Sequence, residues 1–380
     1  MRNYYSLFSV FLAAVLLADC KTSRVVTGKT VAVESAGIES EDLLTCCNAG
    51  LKLPDGSPVS CEASAVLYDN GTVYVANDKD MPTGLSPVFT KSWNALSDSL
   101  TRPTPLLAEA FRTAQKYEDF ASNGEYIFLT TAFDRVKPGS TDWDGYNTIL
   151  YWKKGQEANP QVLAPEPGAK NSVAYRQPLS KLLAQNRPNY PNGMPYFKVE
   201  GLAVMDSLLL FGIREEGEKY DKFDYRVRIV AVPFFTEKTA SGDRLSLRNT
   251  WRIVADFNPA TVPGLPQPLA LSSLEYDSKR KLFWLLTSIE ANGQLDAYLW
   301  TATPEQLFRS QSFMLVRDAQ GQPMHFNHKA EDLTFIGTDR LLVIHDDDRT
   351  PTKVGAQTRQ PNQAAYTVLK IRTTDRTHGL

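Results

Sequence analysis

An excess of charge of either sign is what this 380-residue sequence most plainly lacks. Its 41 lysines and arginines stand against 43 aspartates and glutamates, a formal net charge of -2 at pH 7. No long block of one sign interrupts the balance, which excludes the basic surface that a nucleic-acid backbone selects, and no nucleic-acid partner is expected. Catalytic signatures are missing too. There is no Gly-rich phosphate loop, no Gly-x-Ser-x-Gly elbow and no His-Glu-x-x-His, so nucleotide-binding, serine-esterase and zincin readings have no support. Asp346-Asp347-Asp348 resembles part of a calcium loop but lacks the spacing of an EF-hand and reads as a solvated loop. Histidine is scarce at four residues, and His325, His328 and His345 all fall in or just before the last repeat described below.

Long apolar runs are also absent, with one short exception. Residues 7–18 are uncharged and apolar but too short to span a bilayer comfortably, and Arg2 precedes them, which is the pattern of an export signal. Leu17-Ala18-Asp19-Cys20 resembles a bacterial lipobox, although Asp19 stands where that pattern has a small residue. The expectation is an exported chain, lipidated at Cys20 as an outer-membrane lipoprotein, or else cleaved and released to the periplasm or medium. Membrane contact is expected only through that N-terminal anchor. Four cysteines are few, and Cys20 leaves Cys46, Cys47 and Cys61 in one stretch. An exported compartment permits a disulfide from Cys61 to either Cys46 or Cys47 with one thiol left over, since adjacent cysteines bridge only with strain. Three thiols without a nearby histidine do not complete a zinc site.

What the sequence does contain is a core-forming composition, 42% hydrophobic and 22% charged, arranged as a repeat. Five segments open with a polar residue, turn, and return as an apolar strand. They begin Glu62-Ala63-Ser64, Glu118-Asp119-Phe120, Glu200-Gly201-Leu202, Ser272-Ser273-Leu274 and Glu331-Asp332-Leu333, with second strands at 72–77, 126–132, 208–214, 281–287 and 340–345. The turns carry Asn-Gly and other residues that hairpins require, and further strand candidates follow at 87–93, 148–152, 227–235, 296–301 and 365–372. Segments 251–257 and 312–316 can serve as fourth strands. The pattern predicts an all-β chain, a single β-propeller of five four-stranded blades over residues 61–372, with room for a sixth in the N-terminal stretch or in 165–195. Residues 1–20 are the signal, 21–60 an N-terminal segment whose residues 25–33 can close the ring, 178–185 a short helix, and 373–380 a tail.

Three repeats open with Lys-x-Glu: Lys116 with Glu118, Lys198 with Glu200, and Lys329 with Glu331. Residues two apart share a strand face. Sixteen residues after each opening acid lies a second one, pairing Glu62 with Asp78, Glu118 with Asp134, Glu200 with Glu216 and Glu331 with Asp347, whereas the fourth repeat pairs Ser272 with Ser288. Hairpin geometry gathers these pairs at one end of the blades, at the channel mouth, beside Asn77, Asp80, Arg135, Arg214, His345, Asp346 and Asp348. One reading makes the acids and lysines inter-blade salt bridges. The other makes the eight acids calcium ligands, with Lys116, Lys198, Lys329, Arg214 and His345 on a ligand, because calcium takes roughly six to eight oxygens.

Phe197-Lys198-Val199-Glu200-Gly201-Leu202-Ala203 with its return strand 208–214, and Lys329-Ala330-Glu331-Asp332-Leu333-Thr334 with 341–348, resemble the phytase-like (esterase-like phytase) propeller families of exported bacterial proteins. Glu62-Ala63-Ser64 with Val75-Ala76-Asn77-Asp78 is similar in style, and the likeness runs from Cys61 to about Arg372. That resemblance implies a propeller with an acidic mouth and, in some relatives, calcium-dependent phosphate-ester hydrolysis. The loss of acids in the fourth repeat departs from it. Two functions follow as expectations. One is a cell-envelope propeller that binds a small molecule, a glycan or an envelope protein at the channel mouth. The other is a calcium-dependent phosphoesterase.

Overall fold

The computed structural model describes residues 30–79, 81–82, 84–239, 242–291 and 294–376; the stretch expected to be a signal, Cys20, Asp80 and the end of the tail lie outside them. Five antiparallel sheets follow one another along the chain. The first blade runs Ala63–Asp69, Thr72–Asn77, Val88–Ser92 and Thr104–Pro105 from inside to outside. The second is Tyr117–Ser122, Tyr126–Thr131, Ile149–Lys153 and Gln161–Val162. The third has Tyr196–Met205, Leu208–Lys219 and Lys222–Thr239, the last paired along its length to both Gly242–Leu247 and Arg252–Phe257. The fourth has Ala270–Asp277, Leu282–Ala291 and Gln294–Ala302, with Met314–Leu315 and His325–Phe326 sharing its outer edge. The fifth has Ala330–Phe335, Arg340–His345 and Gln363–Arg376, and its outermost strand is Thr30–Thr45.

The chain is therefore a five-bladed β-propeller closed by its own N-terminal strand. Of the stretch 25–33 expected to close the ring, residues 25–29 lie outside the described ones, and the closing strand runs on beyond it, pairing from Thr30 with Arg376 to Thr45 with Gln363. It accounts for the N-terminal region, and the connection 165–195 holds the helix Arg176–Leu183, so no sixth blade is found among the described residues. Cys46 bridges to Cys61, tying the end of the closing strand to the start of the first blade, and Cys47 is left as a buried thiol. A bridge of this kind restricts the open ring more than the closed one.

Strand alternation explains the packing. In the second strand of the fifth blade, Leu341 and Val343 pack against Trp284 of the fourth blade, while Leu342 and Ile344 pack against Val66 and Val73 of the first. Both faces are covered, so the strand is apolar at every position from Leu341 to Ile344. Trp152 does the same between the first and second blades, against Phe111 and Phe120, and Trp300 between the third and fourth, against Phe257.

At the axis the inner strands are sheet edges without a ladder partner on one side. Side chains from other blades supply it. Asp119 of blade two accepts from the amides of Leu202 at 2.7 Å and Leu274 at 3.3 Å, in blades three and four. Asp332 of blade five accepts from the amide of Val66 at 2.6 Å and the hydroxyl of Ser273 at 2.7 Å, in blades one and four. The two carboxyls also act on each other, and each is held above its ordinary value, first by burial and, for Asp119, next by Asp332 itself. Two buried carboxyls that raise each other are expected to hold one proton between them.

A raised carboxyl means that the folded chain holds a proton which the unfolded chain has released. Its contribution is complete below the ordinary carboxyl range, about pH 4, and is lost as pH rises toward neutrality. We expect the melting temperature to fall between pH 5 and pH 8, and Asp119→Asn, which supplies a permanent N–H to Asp332, to reduce that fall. Asp119→Ala, leaving buried amides unpaired, is expected to cost about 2–3 kcal/mol. Identical pH dependence in wild type and Asp119→Asn would refute the shared proton.

Candidate functional site

Each inner strand carries one residue that opposes nothing across the hairpin, and all five lie at the same level: Ser64, Glu118, Glu200, Ser272 and Glu331. A bulge of this kind bends the strand and re-aims its side chain. The register also corrects the repeat frame. Ala63 faces Asn77, Tyr117 faces Thr131 and Ala330 faces His345, so Glu62 occupies the place of Lys116 and Lys329 rather than that of Glu118 and Glu331. Blade one thus has an acid in the lysine place and Ser64 in the acid place, from which its hydroxyl donates to the carbonyl of Tyr117 at 2.5 Å.

Side chains from these positions form a chain of alternating charge. Lys116 Nζ lies 3.6 Å from Asp78 and 3.4 Å from Glu118, and Lys198 Nζ lies 3.4 Å from Glu118 and also bonds Glu200. Arg214 Nε is 3.7 Å from Glu200 and 3.8 Å from Glu215, and Lys329 Nζ is 2.9 Å from Glu331. Arg214 also explains the fourth repeat. Itself an unpaired residue on the second strand of blade three, it sends Nη1 across to the Leu271 carbonyl and to Ser272 and Ser288, each at 3.1 Å, while the serines bond each other at 2.7 Å.

Electrostatics distribute unevenly along the chain. Burial pushes Glu200 up, but Lys198 and Arg214 more than offset it and hold it below its ordinary value. Glu118 and Glu331 are raised by burial, which the neighbouring lysines reduce without cancelling, and by Glu200 beside each. Asp78 is lowered because Lys116 and Lys79 outweigh its burial. Asp346 is raised, by burial foremost and by Asp78 and Asp348 against the pull of Lys329. Lys116 also stands at a φ of 61°, a left-handed backbone that strains a side chain of this type and aims its ammonium between two blades.

The expected site residues divide. Glu62, Asp78, Glu118, Glu200, Glu331, Lys116, Lys198, Lys329 and Arg214 come together at the mouth. Four do not serve there as expected. Asp134 is buried with both oxygens gripped by Arg135, Nε to Oδ1 at 3.1 Å and Nη2 to Oδ2 at 2.8 Å. Glu216 faces the other side of its hairpin, held by Arg228 at 2.7 Å and Arg187 at 3.1 Å. Asp347 is 2.6 Å from His328, which together with nearby His345 brings its carboxyl to about 2 against the effect of burial. His345 is sealed between blades against Phe326, 2.8 Å from Thr367, and burial lowers it to about 3. The spacing of sixteen overshoots because it was counted from the bulge residue instead of the residue two before it. Backbone pairing rather than a fixed count gives the acid opposite Lys329 as Asp346, seventeen residues on because this hairpin is one residue longer than that of blade one; its amide bonds the Lys329 carbonyl as that of Asp78 bonds Glu62, both at 3.0 Å.

Asp346 is thus a site residue that the sixteen-residue rule passed over, and Glu62, Asp78 and Asp346 each offer an oxygen within 4.8 Å of the others. Lys79 lies over the first two, 2.6 Å from Glu62 and 3.0 Å from Asp78. Beside them a cavity of about 430 Å³ opens between blades one and two, lined by Asn77, Lys79, Arg112 and Lys116. Glu215 is a second residue missed, bonded by the hydroxyl of Tyr196.

No family model matches the chain, and no curated protein matches its sequence. Among solved structures, it is similar to an α-L-arabinofuranosidase from Podospora anserina solved in complex with cellotriose (11% identity, TM-score 0.37, 91% of this chain and 98% of that one). It is also similar to an aldose sugar dehydrogenase from Streptomyces coelicolor in its PQQ-bound form (11%, 0.32, 90% and 100%). A third is a glycosyl hydrolase from Bacteroides ovatus (8%, 0.40, 90% and 93%). At these identities and scores none of the three carries an argument about this chain.

The ion chain makes a testable demand. Lys198→Met strands Glu118 and Glu200, and breaking a buried pair from one side costs about 3–5 kcal/mol. The double variant Lys198→Met/Glu118→Gln is expected to recover part of this in denaturant titration. Additive losses would show that the two side chains do not share a charge.

Proposed function

We propose that the chain is an exported cell-envelope propeller, lipid-anchored through Cys20, that binds a polar ligand at its channel mouth. A small molecule, a glycan or a segment of an envelope protein all fit this reading. The observation that carries it is a set of buried polar atoms of both signs: Glu62 Oε1, Asp78 Oδ1, Glu200 Oε2 and Arg214 Nη2 make no hydrogen bond and gather at one end of the channel. Each bond left unmade costs about 1–3 kcal/mol, so such a set suits a partner that supplies both donors and acceptors. The interleaved lysines support binding over catalysis. Ser272 and Ser288, the hydroxyls at this level of blade four, are engaged with each other and with Arg214 rather than with a base.

One observation favours a second reading, the calcium-dependent hydrolase of the phytase-like resemblance. Glu62, Asp78 and Asp346 would hold the ion, with Lys116, Lys198, Lys329 and Arg214 on an anionic substrate. A metal there would polarise a phosphoester oxygen and acidify a bound water. Against this stand the ammonium of Lys79 on two of the three carboxylates and a donor set well short of the roughly six to eight oxygens calcium takes.

Calorimetric titration with calcium, with a thermal melt at each step, separates the readings. No stoichiometric binding is expected. A thermal-shift screen of glycans and anionic metabolites should instead yield a ligand that raises the melting temperature, its affinity falling about tenfold or more in Glu200→Gln. Tight calcium binding that is lost in Asp346→Asn would replace this reading with the hydrolase. Cys20→Ser should abolish fatty-acid labelling of the expressed protein and release it from the membrane fraction; unchanged labelling would refute the anchor.

A further inference from the structure

Blade three differs from the others in length. Its strands Leu208–Lys219 and Lys222–Thr239 run past the sheet as a hairpin on the mouth side, where Glu215 faces Tyr225, Gly217 faces Phe223 and Lys219 faces Lys222. One face of this extension is aromatic. Phe223 packs on Tyr225 with ring centroids 5.2 Å apart, and Tyr196 meets Phe223 at 5.7 Å and Tyr220 at 6.4 Å. Gly217 is required here, since a Cβ would sit 2.5 Å from Phe223 Cα.

The long loop of blade two comes to meet it. Asn147, fully buried, donates from Nδ2 to the carbonyls of Arg135 at 2.8 Å and Trp143 at 3.0 Å, fixing the two residues relative to each other. The Arg135 guanidinium then lies 4.8 Å from the ring of Tyr146, 5.9 Å from Trp143 and 5.8 Å from Tyr220. Trp143 is 39% exposed and Tyr220 69%, in a protein whose other large aromatics are mostly buried. Two solvent-facing rings, one from each blade, thus flank one immobilised guanidinium next to the Glu200–Arg214–Glu215 end of the charged mouth.

We propose that this wall is a carbohydrate-binding subsite of the mouth, taking an oligosaccharide whose ring stacks on Trp143 and Tyr220 while its hydroxyls bond Arg135 and the mouth residues. This rests on the binding function argued above and names its ligand class. A pyranose presents an apolar C–H face and a polar rim only a few ångströms apart, and the wall alternates in the same way. A protein partner fits less well. The two exposed rings offer a few hundred Å² at most, against the roughly 1,000 Å² that a stable protein interface needs. The rings are held in place before any ligand arrives, so little ordering cost opposes weak stacking.

The test is a titration of the mature protein with three oligosaccharide probes of different chemistry: a neutral β-glucan hexamer, a chitin hexamer and an oligouronate. Tryptophan fluorescence and calorimetry are the readouts. At least one probe is expected to bind with a Kd of about 1 mM or tighter and to shift the emission of Trp143, the most exposed tryptophan. Trp143→Ala and Tyr220→Ala, both surface changes, should each weaken binding about five- to tenfold with the melting temperature unchanged, and Trp143→Phe should retain most of it. Failure of all three probes, or binding indifferent to both alanine variants, overturns the proposal. Hydrogen-exchange protection of the mouth by a non-sugar ligand from the thermal-shift screen would then leave the binding function standing. No protection by any ligand would remove both.

Discussion

Five strand edges brought to one axis leave backbone amides where water does not reach, and the ring closes only because side chains from other blades answer them. Asp119 and Asp332 bond groups in blades one, three and four from their own positions in blades two and five, so two carboxyls connect every inner strand. Thr334 adds a bond to the amide of Tyr68 in the same manner, at 3.1 Å. Carboxylates are costly in such a place, and two of them side by side more so. A proton kept on one of them, as their raised carboxyls lead us to expect, lessens that cost.

The same geometry sets the site. An inner strand that bulged nowhere would keep alternating its side chains between neighbouring blades, and ionic groups would be driven into apolar packing. The bulge at Glu118, Glu200 and Glu331 turns one carboxyl per blade out of that alternation and into the mouth, where a lysine two residues earlier meets it. His345 shows the alternative. It stays in register, and its imidazole is consequently packed on Phe326 inside the blade interface. The bulge carboxyls of blades two, three and five are thus confined to positions where the backbone departs from regularity.

That confinement explains what was legible in the sequence. Hairpins with Asn-Gly turns and doubly buried apolar strands announce themselves in one dimension, so five blades and the short helix could be read directly, while a sixth blade stayed open because the length of the closing strand could not be. The Lys-x-Glu repeat could be read as well, because the bulge and the lysine are local to one strand. Which acid lies opposite could not, since a bulge inserts a residue into the count and shifts every cross-strand partner after it. Asp347 was therefore chosen over Asp346, and Glu216 over Glu215. The role of Ser272 and Ser288 was illegible for another reason: it depends on Arg214, which arrives from a different blade.

Symmetry at the mouth is broken by blades one, three and four, and the breaks share one logic. Blade four gives up its acids, and blade three fills the space with Arg214 and builds upward into a hairpin whose aromatic face leans toward the loop of blade two. A five-fold ring of equal ion pairs would present the same surface in five directions and would favour no ligand orientation. Removing two carboxylates on one side and raising a wall beside them gives the mouth a polarity across its diameter. On one side lie Glu62, Asp78 and Asp346 with the ammonium of Lys79 over the first two; on the other lie stacked rings around a fixed guanidinium. A ligand that exploits both ends must itself be amphipathic along its length, which is the property by which the wall selects an extended polyhydroxylated chain over a compact ion.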